Sequence, residues 1–265
     1  MNPSAGVFVF LCVMSVLCWR LGDRLGREPD RRAQVWLGVA LLLLLVWGWL
    51  AHNPSIAVEA LPVALLYYLE GTAAVPVFMF IVGHAWARSR LPRQRRASAL
   101  AGLLGIVYFL HGGLWLIQST PETFADHVDD GIVRQSSGFS CVPAACATAL
   151  RHLGVHATET ELARLTEARP GSGSTLIRAT RALELKLAGT GIHAEVLEPS
   201  VRQLSAVAPP VLTPIRGEVG REHMVVITRV ADQGAWLADP MQGHVFVPHE
   251  QWDEMYTRRV IAFVR

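Results

Sequence analysis

Cys141, His223 and Asp239 are the residues of this 265-residue chain whose types and spacing carry the most chemistry. Around Cys141 the sequence reads Gly138-Phe139-Ser140-Cys141-Val142-Pro143-Ala144-Ala145. Pro143, apolar residues at 145, 149 and 153, and a stop at Gly154 predict a helix over 140–153. A thiol at a helix start meets free backbone N–H groups and the positive end of the helix dipole, both of which favour a nucleophilic thiolate. Cys146, in the apolar middle of the same helix, reads as core. Five residues apart, the two thiols point to different faces and do not meet disulfide geometry. Cys141, Cys146 and His152 also lack zinc-ligand spacing, so neither a metal nor a cofactor is expected.

A thiolate nucleophile needs a base. Of His127, His152, His156, His193, His223, His244 and His249, six border loops or charged residues, whereas His223 opens the apolar strand His223-Met224-Val225-Val226-Ile227. The next strand ends Ala235-Trp236-Leu237-Ala238-Asp239-Pro240, after a turn at 231–234. A hairpin centred on Ala231 brings Asp239 opposite His223 to within two or three residues of register. Diagonal cross-strand neighbours lie about 7–8 Å apart at the backbone, close enough for long side chains to touch. A carboxylate there can orient the imidazole, which completes a Cys–His–Asp set.

Gln135-Ser-Ser-Gly-Phe-Ser-Cys141-Val-Pro-Ala-Ala, His223-Met-Val-Val-Ile and Ala238-Asp239-Pro240 together resemble the papain-like peptidases that remove double-glycine leader peptides from bacteriocins. The resemblance covers 133–265, about half the chain. It implies that Cys141 is the nucleophile, His223 the base and then acid, Asp239 its orienting group, and Gln135 an oxyanion donor beside the Cys141 N–H. Two positions depart from the family pattern. Val142 follows the cysteine where the family has Gly, and the family's Gly-Thr-Ser loop is matched only loosely by Gly173-Ser174-Thr175. The expected activity is that of a cysteine endopeptidase acting on a peptide or protein, alongside a separate exporter. A catalytically silent domain that binds a peptide or partner for export, and an acyl transferase using the same nucleophile, are the alternatives. No G-x-x-x-x-G-K-[ST] motif occurs, so no nucleotide is expected.

The elements positioning these residues read as an α+β domain over 121–265, helices before strands. Helices are expected at 140–153, 158–166 (with Thr158-x-x-Glu161 in capping-box form) and 176–187. Strands are expected at 193–196, 210–214, 224–230, 235–238, 244–247 and 260–264 in a mainly antiparallel sheet. An acidic connector over 121–133 and a loop over 170–175 complete the domain.

The first 120 residues are a different object. The chain is 51% hydrophobic and 17% charged, with mean hydropathy +0.32, against about 25% charged for a soluble domain. Residues 1–120 carry net charge +5 and residues 121–265 carry −3. The ten Arg of the first part fall in two short clusters between apolar runs rather than on a folded basic face, which excludes a nucleic-acid binder. Apolar stretches at about 5–19, 33–51, 61–87 and 97–117 predict an α-helical four-span membrane region in a bacterial cell membrane. The first stretch has no basic n-region and no cleavage site, so it is not a signal peptide. Both Arg clusters lie in short loops, which places them in the cytoplasm and the C-terminal domain on the periplasmic or extracellular side. Within the spans, Glu70 reads as a residue at a helix break beside Gly71, His84 and His111 as interfacial or packing residues, and Cys12 and Cys18 as small apolar packers.

Overall fold

The structure, a computed structural model, describes residues 3–113, 124–170, 173–217 and 222–265. It divides into two compact units, Met1–Ser119 and Thr120–Arg265.

The first unit is helical throughout: α1 (Pro3–Gly26), α2 (Asp30–His52), α3 (Pro54–Ala60), α4 (Val63–Leu69), α5 (Ala74–Arg88) and α6 (Pro92–Gly113). α1 is longer than expected, because nothing from Arg20 to Leu25 breaks a helix and Arg27 pairs with Asp23 at 2.6 Å, one turn back. Among the described residues, α1 from Gly6 onward and α2 are long and apolar enough to cross a membrane, and α4 with α5, bent by 47°, would make a third. The expectation of four is not reached among these residues. α6 begins with Arg93, Arg95 and Arg96, and 114–117 lie outside the described residues. Glu70 caps α4 at the break before Gly71, whose φ is +73°. Cys12 and Cys18 are half-buried free thiols.

α1 and α5 run side by side in the same direction on glycine contacts. A Cβ at Gly22 would lie 2.0 Å from the Phe80 carbonyl oxygen, and one at Gly83 2.1 Å from that of Trp19. His84 Nε2 donates to the Ala33 carbonyl at 3.1 Å, so this residue packs helices rather than facing an interface. Arg88 donates to the Gly26 carbonyl and pairs with Asp30, tying the α1–α2 turn to the end of α5. Gly83→Val should therefore push the two helices apart, at the ~1–3 kcal/mol typical of overpacking. Thermal unfolding of the full chain in detergent should show a lower midpoint for Gly83→Val. Gly48→Val, whose Cβ meets nothing within 4 Å, should leave it unchanged.

The second unit holds β1 (Val128–Asp129), β2 (Ile132–Val133), α7 (Cys141–His152), α8 (Glu159–Leu165), α9 (Leu176–Leu187), β3 (His193–Leu197), α10 (Val201–Leu204), β4 (Val211–Arg216), β5 (Glu222–Ala231), β6 (Gly234–Asp239), β7 (Gly243–Pro248), α11 (His249–Met255) and β8 (Val260–Val264). Six strands form one antiparallel sheet in the order β3-β8-β4-β5-β6-β7. α7 packs against β5 and is buried from Val142 to Leu150. Its small residues, Ala144, Ala145, Ala147 and Ala149, let the helix lie close to its neighbours. Thr158 accepts from the Glu161 N–H to start α8, and Thr175 accepts from the Arg178 N–H to start α9. Leu204 of α10 and Trp252 of α11 join Val225, Ile227, Leu237 and Val247 in one buried cluster.

Some expectations need correction. The connector over 121–133 contains the β1–β2 hairpin, turning at Asp130 and Gly131 with φ of 46° and 80°; 121–123 lie outside the described residues. α10 and α11 interrupt the run of strands, so helices do not simply precede the sheet. Ser140 is not helical but stands as the N-cap of α7, its hydroxyl bonded within the preceding loop. The 170–175 loop is described except for 171–172.

Candidate active site

The β5–β6 hairpin decides where the imidazole and the carboxylate meet. Near its turn Ala231 faces Gly234, Val230 faces Ala235 and Arg229 faces Trp236. Continued unbroken, that register would set Asp239 opposite Val226, and His223 and Asp239 would fall on opposite faces of the sheet. Instead a bulge places one extra residue, Thr228, on β5, so that Ile227 faces Leu237 and Val226 faces Ala238. The Thr228 hydroxyl donates to the Trp236 carbonyl across the irregularity at 3.2 Å. One more step carries Asp239 opposite Val225, on the same face as His223 and diagonal to it. His223 Nε2 then lies 2.9 Å from Asp239 Oδ1, with their side chains 16% and 6% exposed.

Asp239 is itself held. Its Oδ1 accepts from the N–H groups of Met241, at 2.6 Å, and Gln242, at 3.2 Å, in the turn that follows β6. Arg134 donates to the Met241 carbonyl, and the Gln135 N–H donates to the Pro240 carbonyl at 3.1 Å. The loop before Cys141 is thus laced to the turn after Asp239.

With Nε2 taken by Asp239, the second ring nitrogen of His223 is left for the Cys141 thiol, with which the ring shares a hydrogen bond. Burial pushes the thiol up, but that bond, the Met224 N–H, the nearby imidazolium charge and the Val142 N–H outweigh it, and the thiol sits below its ordinary value. Burial pulls the imidazole down, yet the hydrogen bonds to Asp239 and Cys141, with the charges of both, raise it to about 9. Burial would raise Asp239, but His223 and the two backbone N–H groups hold it below the usual carboxylate range. These shifts favour a thiolate–imidazolium pair backed by a carboxylate. Cys146, wholly buried and close to Cys141, is pushed far upward by burial and is not a competing nucleophile.

Gln135 occupies the same loop, but its Nε2 donates to the Ser137 carbonyl at 2.9 Å, and its buried Oε1 has no partner. Val142 is buried at 5% exposure. The structure therefore brings Cys141, His223 and Asp239 together, with Gln135 in the adjoining loop. Sequence reasoning missed the Met224 N–H at the sulfur and the two N–H groups on Asp239, because backbone donors leave no mark in residue type. Among the described residues no cluster of three metal-ligating side chains exists.

The model of the Peptidase C39 family matches residues 129–265. The chain belongs to the Peptidase C39 family. Relatives of this C39 protein include two uncharacterized proteins, from Methanothermobacter marburgensis and Methanothermobacter thermautotrophicus. They are 34% and 33% identical over 138 residues, which is 52% of this chain and 90% of each relative. Two solved structures are also similar. One is a double glycine motif protease from an AMS/PCAT transporter in complex with its leader peptide (TM-score 0.45, 20% identity, 55% of this chain and 98% of that one). The other is the peptidase domain of Streptococcus ComA, a bi-functional ABC transporter of a quorum-sensing pathway (TM-score 0.45, 16% identity, 50% and 96%).

Proposed function

We propose that this C39 protein is a membrane-anchored cysteine endopeptidase with a Cys141–His223–Asp239 catalytic set. The observation that carries this is the thiol and the carboxylate on the two ring nitrogens of one imidazole, with the proton affinities of all three shifted toward the charged pair.

In the reaction the Cys141 thiolate attacks the scissile carbonyl carbon, and negative charge moves to the carbonyl oxygen. The Cys141 N–H, which has no intrahelical acceptor at a helix start, and the second amide hydrogen of Gln135 are its donors. Collapse breaks the C–N bond. His223 gives its thiol-side proton to the departing amine, while its Nε2–H stays on Asp239. His223 then takes a proton from water as the hydroxide attacks the thioester, which releases the acid and restores the thiolate–imidazolium pair.

The proposed domains are a membrane region over 1–120 and the peptidase over 121–265. Four spans are supported by α1 and α5 running in the same direction, with the long helix α2 between them in the chain and α6 leaving from the Arg88 end. Short Arg-rich loops at that end favour a cytoplasmic position for it and an extracytoplasmic peptidase. A reporter fused after Arg265 should be active only outside the cytoplasm; activity only inside reverses the orientation. The substrate class is a peptide or protein, and the exporter a separate chain.

The test of activity incubates the full chain in detergent with a peptide library that includes double-glycine sequences. Cleavage by the natural sequence and none by Cys141→Ala supports the reading. Specific binding without cleavage by either supports the silent peptide-binding alternative, which the engaged Gln135 amide favours. Product appearing only with an added amine acceptor indicates acyl transfer.

A further inference from the structure

Two carboxylates are buried among the described residues of the C-terminal unit: Asp239 at 4% exposure and Glu159 at 0%. Asp239 holds the imidazole. Glu159, the first residue of α8, is not hydrogen-bonded to that dyad but has both oxygens occupied by one residue, Ser136. Its Oε1 accepts from the Ser136 N–H at 2.8 Å and its Oε2 from the Ser136 hydroxyl at 2.5 Å. Ser136 is the neighbour of Gln135 in the loop that ends at Cys141.

That loop is fixed elsewhere as well, by Arg134 on the Met241 carbonyl and by Phe139 against Phe124. Gln135 is held by its N–H on the Pro240 carbonyl, Ser137 by the Ser140 hydroxyl, and the Ser136 hydroxyl also accepts from the Ala125 N–H at 3.0 Å. The Gln135 amide leans on the Ser137 carbonyl, one residue beyond the residue Glu159 grips. A buried acceptor that binds both a backbone N–H and the side chain of one residue fixes that peptide plane in position and orientation. Gln135 is thus held by its own N–H at Pro240 and by this clamp on the next residue, which together fix the backbone that carries its amide.

We infer that Glu159 is a positioning residue for the oxyanion-binding loop, acting through Ser136 on Gln135. The inference rests on the reading of Cys141 as an acyl-accepting nucleophile. Glu159 should matter for steps that pass through a tetrahedral oxyanion, and not for formation of the thiolate, which depends on His223 and the N–H groups of Met224 and Val142.

Two probes separate these steps in the full chain in detergent. Iodoacetamide alkylates the thiolate by displacement of iodide, with no oxyanion. p-Nitrophenyl acetate acylates it through a tetrahedral oxyanion that expels p-nitrophenolate and leaves the acetyl thioester. Both rates are followed at Cys141 by peptide mass spectrometry. Glu159→Ala should lower the acylation rate at least tenfold, toward the 10²–10³ typical of losing one oxyanion donor, and leave alkylation within about twofold. Glu159→Gln, whose carbonyl can still accept from the Ser136 N–H and whose amide can donate to its hydroxyl, should recover most of the loss. Ser136→Ala, at an exposed position, should show the same split more weakly and decides the matter where Glu159→Ala does not fold. Equal falls in both rates, or acylation unchanged in folded variants, overturn the assignment while leaving the nucleophile intact. A natural sequence inert to both probes overturns the nucleophile and the assignment together.

Discussion

His223→Ala abolishes the charged pair and is expected to lower peptide cleavage by on the order of 10²–10⁴-fold, the range of a lost general acid–base. The cause is double. The ring supplies the proton for the leaving amine, and it is also the main group opposing burial at the Cys141 thiol. Without it, burial dominates, the thiol returns upward, and the thiolate fraction at neutral pH falls as well. The loss should therefore be smaller at alkaline pH, where the thiol begins to ionise unaided, than at pH 6. A variant that loses activity equally at every pH would show that the imidazole does not hold the thiolate.

Asp239→Asn tests the other half of the set. The amide oxygen of Asn can still accept from His223 Nε2 and from the N–H groups of Met241 and Gln242, so the geometry survives and the charge does not. A hydrogen bond to a charged group contributes about 1.5–3 kcal/mol, which corresponds to a rate loss of about 10–10²-fold. The larger signature is in pH. Natural-sequence activity should fall as pH rises through about 9, where His223 loses its proton, and as pH falls through the lowered thiol value. In Asp239→Asn the alkaline limb should move to lower pH.

Stability follows the same groups. His223, raised from 6.5 to about 9, stabilises the fold fully below 6.5, and that contribution is lost as pH climbs through about 9. Asp239, lowered from 3.8, contributes above that value and loses its contribution as pH falls through its lowered one. The gap in unfolding midpoint between the natural sequence and Asp239→Asn should thus be widest between about pH 4 and 6.5 and close toward pH 9. A gap that is flat with pH would mean the pair is not ionised.

How much of this was legible in the residues depends on the kind of signal each element carries. The helix expected over 176–187 matches α9 over its whole length, and the cap, Thr175, belongs to what the sequence shows only as the end of a loop. β8 was likewise read without error at 260–264. The hairpin was read only approximately. Its centre falls between Asp232 and Gln233 rather than at Ala231, and the Thr228 bulge that reconciles turn and dyad leaves no pattern in a strand of β-branched residues. α10 and α11, four and seven residues long, are too short to show a period. Glu159 was noted only as part of a capping-box pattern, because a buried carboxylate has the same letter as a surface one. In the membrane region, the reach of α1 beyond Trp19 was missed because an apolar count stops at the first Arg, whereas a helix does not.

The thiolate–imidazolium pair is tested by the alkylation rate of Cys141 by iodoacetamide as a function of pH, in the full chain in detergent. Site-specific mass spectrometry would separate it from Cys12, Cys18 and the buried Cys146. The expected result is fast alkylation that persists below neutral pH, with Cys146 unreactive throughout. A slow rate that rises only near pH 9, unchanged by His223→Ala, would contradict it and show that no thiolate–imidazolium pair is assembled.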